Sequence, residues 1–171
     1  MKSITLLMTL MILFSSFTLQ AQKDSAPAQD KKFQLGLGFG LGLSTQSSDV
    51  AIASAELQGE YKSTDHLSLY GSLGYNRLFA ISNGGGSAGY GSLLAGARGY
   101  LTSKFFIGIG AGIAYATGQG ESSTLFNYNP HIGYNSKAAQ LTLGYNGLSQ
   151  SGDNLGFIEA KVIIKFNKPT R

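Results

Sequence analysis

Three features of the sequence predict an all-β chain closed into an eight-stranded antiparallel transmembrane β-barrel, an up-and-down meander. From Phe33 onward a period-two alternation recurs about every dozen residues, aromatic residues gather near the ends of the alternating runs, and short and long connections alternate between the runs. A soluble sandwich shares the alternation, but it places its large aromatics mid-strand. A sheet in hydrocarbon has to close, because open edges would leave amides unpaired.

The segment before the first run is read separately. Met1 and Lys2 give a short positive start, and residues 4 to 19 (ITLLMTLMILFSSFTL) form an uncharged apolar run that ends near the small residue Ala21. The run is shorter than the ~20 residues a spanning helix needs, so residues 1 to 21 are expected to be a signal peptide. Residues 22 to 32 (QKDSAPAQDKK) are charged, contain Pro27 and lack an apolar period, as a disordered periplasmic lead-in does. The barrel is expected over 33 to 166, with a C-terminal tail over 167 to 171.

The first run, 33 to 43, sets Leu35, Leu37, Phe39, Leu41 and Leu43 against Gly36, Gly38, Gly40 and Gly42. The second, 51 to 61, sets Ala51, Ala53, Ala55, Leu57 and Tyr61 against Glu56, Gln58 and Glu60. In the third, 67 to 78, Leu67, Leu69, Leu73 and Tyr75 oppose Ser68, Tyr70, Ser72 and Asn76. The fourth, 89 to 101, has Leu93, Ala95, Ala97 and Leu101 on one face and Arg98 on the other. Phe105, Ile107, Ile109, Ala111, Ile113 and Tyr115 oppose Gly108, Gly110 and Gly112 in the fifth, 105 to 116. The sixth, 125 to 135, gives Phe126, Tyr128, Ile132 and Tyr134 against His131. Ala139, Leu141, Leu143 and Tyr145 oppose Gln140 and Thr142 in the seventh, 139 to 147. The eighth, 156 to 166, sets Ile158, Ala160, Val162, Ile164 and Phe166 against Glu159, Lys161 and Lys165.

Read antiparallel, Tyr61, Phe105, Tyr134 and Phe166 fall at one end, and Tyr75, Tyr115, Phe126, Tyr128 and Tyr145 at the other, as two bilayer interfaces favour. The connections 62 to 66, 102 to 104 and 136 to 138 are short. Those at 44 to 50, 79 to 88, 117 to 124 and 148 to 155 read as longer loops, all at one end, the asymmetry of barrels with short periplasmic turns.

Composition excludes several classes. There is no cysteine, which removes disulfides, thiolate metal sites, cysteine nucleophiles and a lipoprotein anchor. The net charge of +4 falls to +3 when Lys2 leaves with the signal, too little and too scattered for nucleic acid. No cofactor is expected. The motif GGSAG (85 to 89) fits a G-x-S-x-G nucleophile elbow, with Ser87, Glu121 and His131 in triad order, and GGGSAG (84 to 89) fits G-x-G-x-x-G. Both motifs need a helix after the turn, and none is expected, so the stretch reads as a flexible hairpin tip and no catalytic residue is assigned.

With these runs on the page, the chain from Phe33 to Phe166 resembles the small eight-stranded outer-membrane β-barrel family of Gram-negative bacteria, the outer membrane protein β-barrel domain. The resemblance implies location in the cell outer membrane, contact with outer-membrane lipid and lipopolysaccharide, and reading of the final aromatic, Phe166, by the barrel-assembly machinery. A monomer is expected.

A barrel of eight strands is just wide enough for its interior to be filled by side chains. The glycine face of the first run lies between neighbours that direct Glu56 and Glu60 from one side and Lys161 and Lys165 from the other. Counting from the strand ends places Glu56 near Lys161 and Glu60 near Lys165, an internal ion-pair ladder; Arg98 and Glu159 complete the lumen ion-pair candidates. The glycine strip of the fifth run lies between neighbours carrying Arg98, Tyr100 and His131. It reads either as space for bulky neighbours or as a slit for small solutes. His131 reads as an interior histidine with polar partners rather than a metal ligand, since His66 sits in a turn. Arg77, outward near the top of the third run, is a candidate contact to lipopolysaccharide phosphate. The functional expectation is a structural, membrane-integrity or surface-contact role with a filled lumen and no enzymatic activity. The alternatives are a narrow porin-like pore and a lipid-modifying barrel enzyme.

Overall fold

The computed structural model describes residues 33–47, 49–81, 88–118, 121–150 and 153–166, all within the compact unit Lys32–Arg171. The expected signal peptide 1–21, the expected lead-in 22–32, the expected tail 167–171 and Ser87 lie outside the described residues. Eight strands follow one another: β1 (Phe33–Ser44), β2 (Val50–Lys62), β3 (Leu67–Ala80), β4 (Ala88–Tyr100), β5 (Phe105–Gly118), β6 (Glu121–Asn135), β7 (Ala139–Gln150) and β8 (Asp153–Lys165). Each pairs antiparallel with the next, and β8 returns to β1 from Gly36↔Lys165 to Ser44↔Phe157, closing the barrel. Closure gives every strand two neighbours, which removes the edges that could not survive in hydrocarbon.

The apolar set of each run faces outward. Leu41, Leu57, Leu73, Leu93, Ile109, Ile113, Ile132, Leu143 and Ile158 are all exposed, Leu73 at 63%. Such a continuous apolar exterior is untenable in water and is what a transmembrane barrel presents to lipid. Phe33, Phe105 and Phe166 are exposed at the end where β1 begins and β8 finishes, here called the lower end; Tyr75, Tyr115 and Phe126 are exposed at the upper end. Tyr128 and Tyr145 are only half-exposed, because their rings lie over Gly147 and Gly156 on the neighbouring strands. A side chain at either glycine would collide with the tyrosine ring, so these two glycines let the upper aromatics lie flat along the wall.

Two of the longer connections are not loops. β5 and β6 stay paired as far as Gly118↔Glu121, and β7 and β8 as far as Gln150↔Asp153, leaving two residues between the strands in each case. The expected loops 117–124 and 148–155 are therefore mostly strand. The connections after β1 and β3 also shrink, to 45–49 and 81–87. Polar residues such as Ser122, Ser123 and Asn154 do not end a strand once it has left the bilayer, because water accepts either face of a paired ladder.

Pro130 lies inside β6, where its missing amide proton interrupts the ladder. Pairing of β6 with β7 runs through Tyr128↔Gly147 and resumes at His131↔Gly144. Asn129 Nδ2 donates to the Tyr145 carbonyl at 3.2 Å, supplying from a side chain the donor the proline cannot.

Candidate functional site: the lumen and its polar network

Inward-facing residues divide the lumen into three levels. At the lower level Arg98, 2% exposed, is held on all sides. Its Nη1 donates to Glu60 Oε2 at 2.8 Å and to Gln140 Oε1 at 3.0 Å, Nη2 donates to Gln58 Oε1 at 2.8 Å, and Nε donates to His131 Nε2 at 3.2 Å. Its guanidinium lies 4.3 Å from the Tyr70 ring centroid and 5.0 Å from that of Phe106. The planar fork satisfies several acceptors at once while its faces pack on aromatic rings, which a lysine could not do. Arg98 thus links its own strand, β4, to β2, β6 and β7 through the middle of the barrel.

Glu60 is as fully engaged. Besides Arg98, it accepts from Ser68 Oγ at 2.6 Å, Tyr100 OH at 2.8 Å and Gln140 Nε2 at 2.7 Å. A buried carboxylate is tolerable only with such a complement of donors. Glu60 is not paired with Lys165. Lys165 Nζ instead donates to Asn135 Oδ1 and to the Ser136 carbonyl, outside the lumen centre. The lower rung of the expected ladder is therefore replaced by a bond from Arg98, two strands away, because the long guanidinium side chain reaches Glu60 over the small residue Ser68.

One level up, Lys161 Nζ reaches Glu56 Oε2 at 2.8 Å and Glu159 Oε2 at 3.5 Å. Glu159 also accepts from Ser54 Oγ and, at 3.4 Å, from Asn146 Nδ2. The β1 glycines make this possible. A Cβ on Gly38 would stand 2.8 Å from Glu56 Cγ, and one on Gly40 would stand 2.9 Å from Lys161 Cγ, so the pair meets over the space two side chains would have filled. Gly36 and Gly42 are covered in the same way by Ile163 and Ile52.

The opposite strip is also filled. Gly108 lies under His131 and Arg98, and Gly110 under Tyr70, while a Cβ on Gly112 would run into the β4 backbone at Leu93. Because Arg98 donates to His131 Nε2, the proton sits on Nδ1 and points to the Asn129 carbonyl at 3.0 Å. His131 is thus a neutral, fully committed ring. Among the described residues no group of three or more histidine, cysteine or carboxylate residues could hold a metal ion. A cavity beside this network, lined by Glu56, Tyr70, Ser72, Asn129, Thr142 and Lys161 among others, measures about 10 Å³, room for about one water molecule.

At the upper level an apolar cluster is interleaved with the buried side chains of Asn76, Ser92, Asn127 and Asn146. Ile52, Tyr90, Ala114, Leu148 and Phe157 form a buried cluster, with Val50, Leu78, Ala116, Leu125 and Leu155 packed against it. Strand parity alone did not lead to this cap, nor to Phe106 and Ile163 lower down. The available signal is local: Phe105–Phe106, Leu93–Leu94 and Ile163–Ile164 are consecutive apolar pairs, so one member of each has to face inward. Arg77 is exposed on the outer wall at the upper end of β3, opposite Ala53 and Gly89.

No protein-family model matches the chain, and no curated protein matches it in sequence. Solved structures do. The barrel is similar to the outer membrane protein Ail of Yersinia pestis in a phospholipid bilayer nanodisc, with TM-score 0.56 and 15% identity over 79% of this chain and 100% of that one. It is similar to the N-terminal β-barrel domain of Pseudomonas aeruginosa OprF, with TM-score 0.57 and 13% identity over 78% and 97% of the two chains. A de novo designed transmembrane β-barrel matches with TM-score 0.53 and 16% identity over 78% and 95%. Identities this low establish the architecture and leave roles open, and a match to a designed barrel makes the same point. The chain has the fold of the small eight-stranded outer-membrane β-barrels.

Proposed function

We propose that the protein is a monomeric, non-enzymatic constituent of a Gram-negative outer membrane whose lumen is a packed core, so that its role lies in membrane integrity or surface contact. The observation that carries this reading is the Arg98 network: a buried guanidinium bonded to three other strands and sandwiched by two rings blocks the lower lumen, while the apolar cap around Phe157 blocks the upper. Arg77 would meet lipopolysaccharide phosphate at the outer leaflet, and Phe166 would serve the assembly machinery.

Planar-bilayer recording on the refolded barrel tests the reading. No stepwise ion conductance is expected, since a chain of water cannot thread a cavity that holds about one molecule. Discrete openings whose size changes with Glu56→Gln would establish the narrow pore instead. For the enzymatic alternative the relevant observation is that His131 is already committed on both ring nitrogens; an altered membrane lipid profile on loss of the protein would favour that alternative.

A further inference from the structure

Every junction at the lower rim carries a lysine. Lys62 enters the β2–β3 turn, Lys104 closes the β4–β5 turn, Lys137 lies in the β6–β7 turn and Lys165 ends β8 beside β1. Among the described residues the turns of the same rim have one acid, Asp65. At the upper end the balance reverses: Asp49, Glu121 and Asp153 occur at the hairpins, with Arg77 on the wall below them. Ion pairs among the described residues all lie within the lumen, between Arg98 or Lys161 and Glu56, Glu60 or Glu159, and none engages a lower-rim lysine.

Each lysine is also set at a fixed depth relative to an aromatic residue. Lys62 follows Tyr61, Lys104 precedes Phe105, Lys165 precedes Phe166, and Lys137 lies just beyond Tyr134, which packs 5.2 Å from Phe105. Aromatic rings settle at the hydrocarbon boundary, so the adjoining ammonium groups reach the depth of the phosphates. Lys165 is held by Asn135 and Ser136, and Lys62 rests 5.6 Å from the Tyr100 ring centroid while remaining exposed. Lys62 shares the inward parity of Glu60, pairs with the buried Ser68 and lies over the lumen ring of Tyr100, which leaves Lys104 and Lys137, both exposed, in the other two turns of the rim.

Building on the transmembrane reading above, we propose that Lys104 and Lys137 form a collar that binds the phosphates of anionic phospholipids in the leaflet at the lower end. The ligand chemistry is a phosphate monoanion presented at the bilayer surface. The collar would fix the depth of the barrel in that leaflet.

The test is electron spin resonance of spin-labelled lipids around the full-length protein reconstituted in phosphatidylcholine containing phosphatidylglycerol. A surface lysine favours an anionic lipid about fivefold, which averages to roughly twofold over the whole lipid annulus. Labelled phosphatidylglycerol is therefore expected to be enriched over labelled phosphatidylcholine in the motionally restricted population. That preference should vanish in the Lys104→Gln/Lys137→Gln variant and persist in Arg77→Gln and in Lys62→Gln. Absence of the preference in the unmodified protein, its survival in the double variant, or its loss in Arg77→Gln or Lys62→Gln would overturn the collar. Loss of the preference with inorganic phosphate but not with chloride of equal ionic strength would assign the lysines to free phosphate and overturn the lipid assignment. A barrel that restricts neither lipid would overturn the transmembrane reading itself, a result distinct from equal restriction of both.

Discussion

Replacing Arg98 with alanine is expected to destabilise the barrel by about 3 to 5 kcal/mol, the cost of breaking a buried ion pair from one side. The loss exceeds a single contact because four acceptors depend on this side chain: Glu60, Gln140, Gln58 and His131. Glu60 would keep Ser68, Tyr100 and Gln140 as donors but would lose the cation in ion-pair contact with it. The Tyr70 and Phe106 rings would also lose the flat group packed against them. Reversible guanidinium unfolding from lipid vesicles measures the change. If the cost comes from a stranded charge, pairing Arg98→Met with Glu60→Gln should recover a large part of it, because two neutral side chains leave hydrogen bonds to satisfy but no ion. A double variant as unstable as the sum of its parts would show that packing, rather than charge, dominates at this level.

Lys161→Met is expected to have an effect of similar size for a different reason. Lys161 is the one cation within ion-pair distance of both Glu56 and Glu159 among the described residues, and removing it leaves two carboxylates on the same level of a narrow lumen. Glu159 retains Ser54 and Asn146 as donors, whereas Glu56 loses its hydrogen-bonding partner outright. A cost of about 3 to 5 kcal/mol is again the expectation, from the buried-charge argument. Here Glu56→Gln in the Lys161→Met background should rescue more stability than Ser54→Ala removes. Unfolding of the three proteins side by side checks it, and no rescue would mean that Lys161 acts mainly as a spacer over Gly40.

The architecture was legible because a lipid-facing wall imposes a strict period of two. Leu35, Leu37, Phe39, Leu41 and Leu43 announce β1 even though glycine fills the other face. The strand ends were less legible. Thr117 and residues 122 to 124 look like loop by composition, but pairing continues through them because above the bilayer nothing selects for apolar side chains. Inside the lumen, Glu56 and Lys161 could be brought together by counting along strands that flank β1. Glu60 could not, because its partner Arg98 lies on β4, and which of two cations a carboxylate takes is decided by side-chain reach across the lumen. The apolar cap was hidden by the alternation itself: Ile52 sits between Ala51 and Ala53, and Phe157 beside Ile158, so both blend into runs already read as outward-facing.

Tyr75 and Tyr90 lie at the same height, since Tyr90 pairs with Asn76, yet they face opposite ways: Tyr75 is 58% exposed on the wall and Tyr90 is 2% exposed in the lumen. The chain has no tryptophan, so Tyr75→Trp and Tyr90→Trp each introduce a single probe. Fluorescence of the two variants in vesicles of brominated lipid, with iodide added outside, tests the inward and outward faces and the seal together. Tyr75→Trp should be strongly quenched by the brominated chains, and Tyr90→Trp should be quenched by neither bromine nor iodide. Iodide quenching at Tyr90→Trp would mean an open lumen, and bromine quenching there as strong as at Tyr75→Trp would mean that the two faces are assigned wrongly.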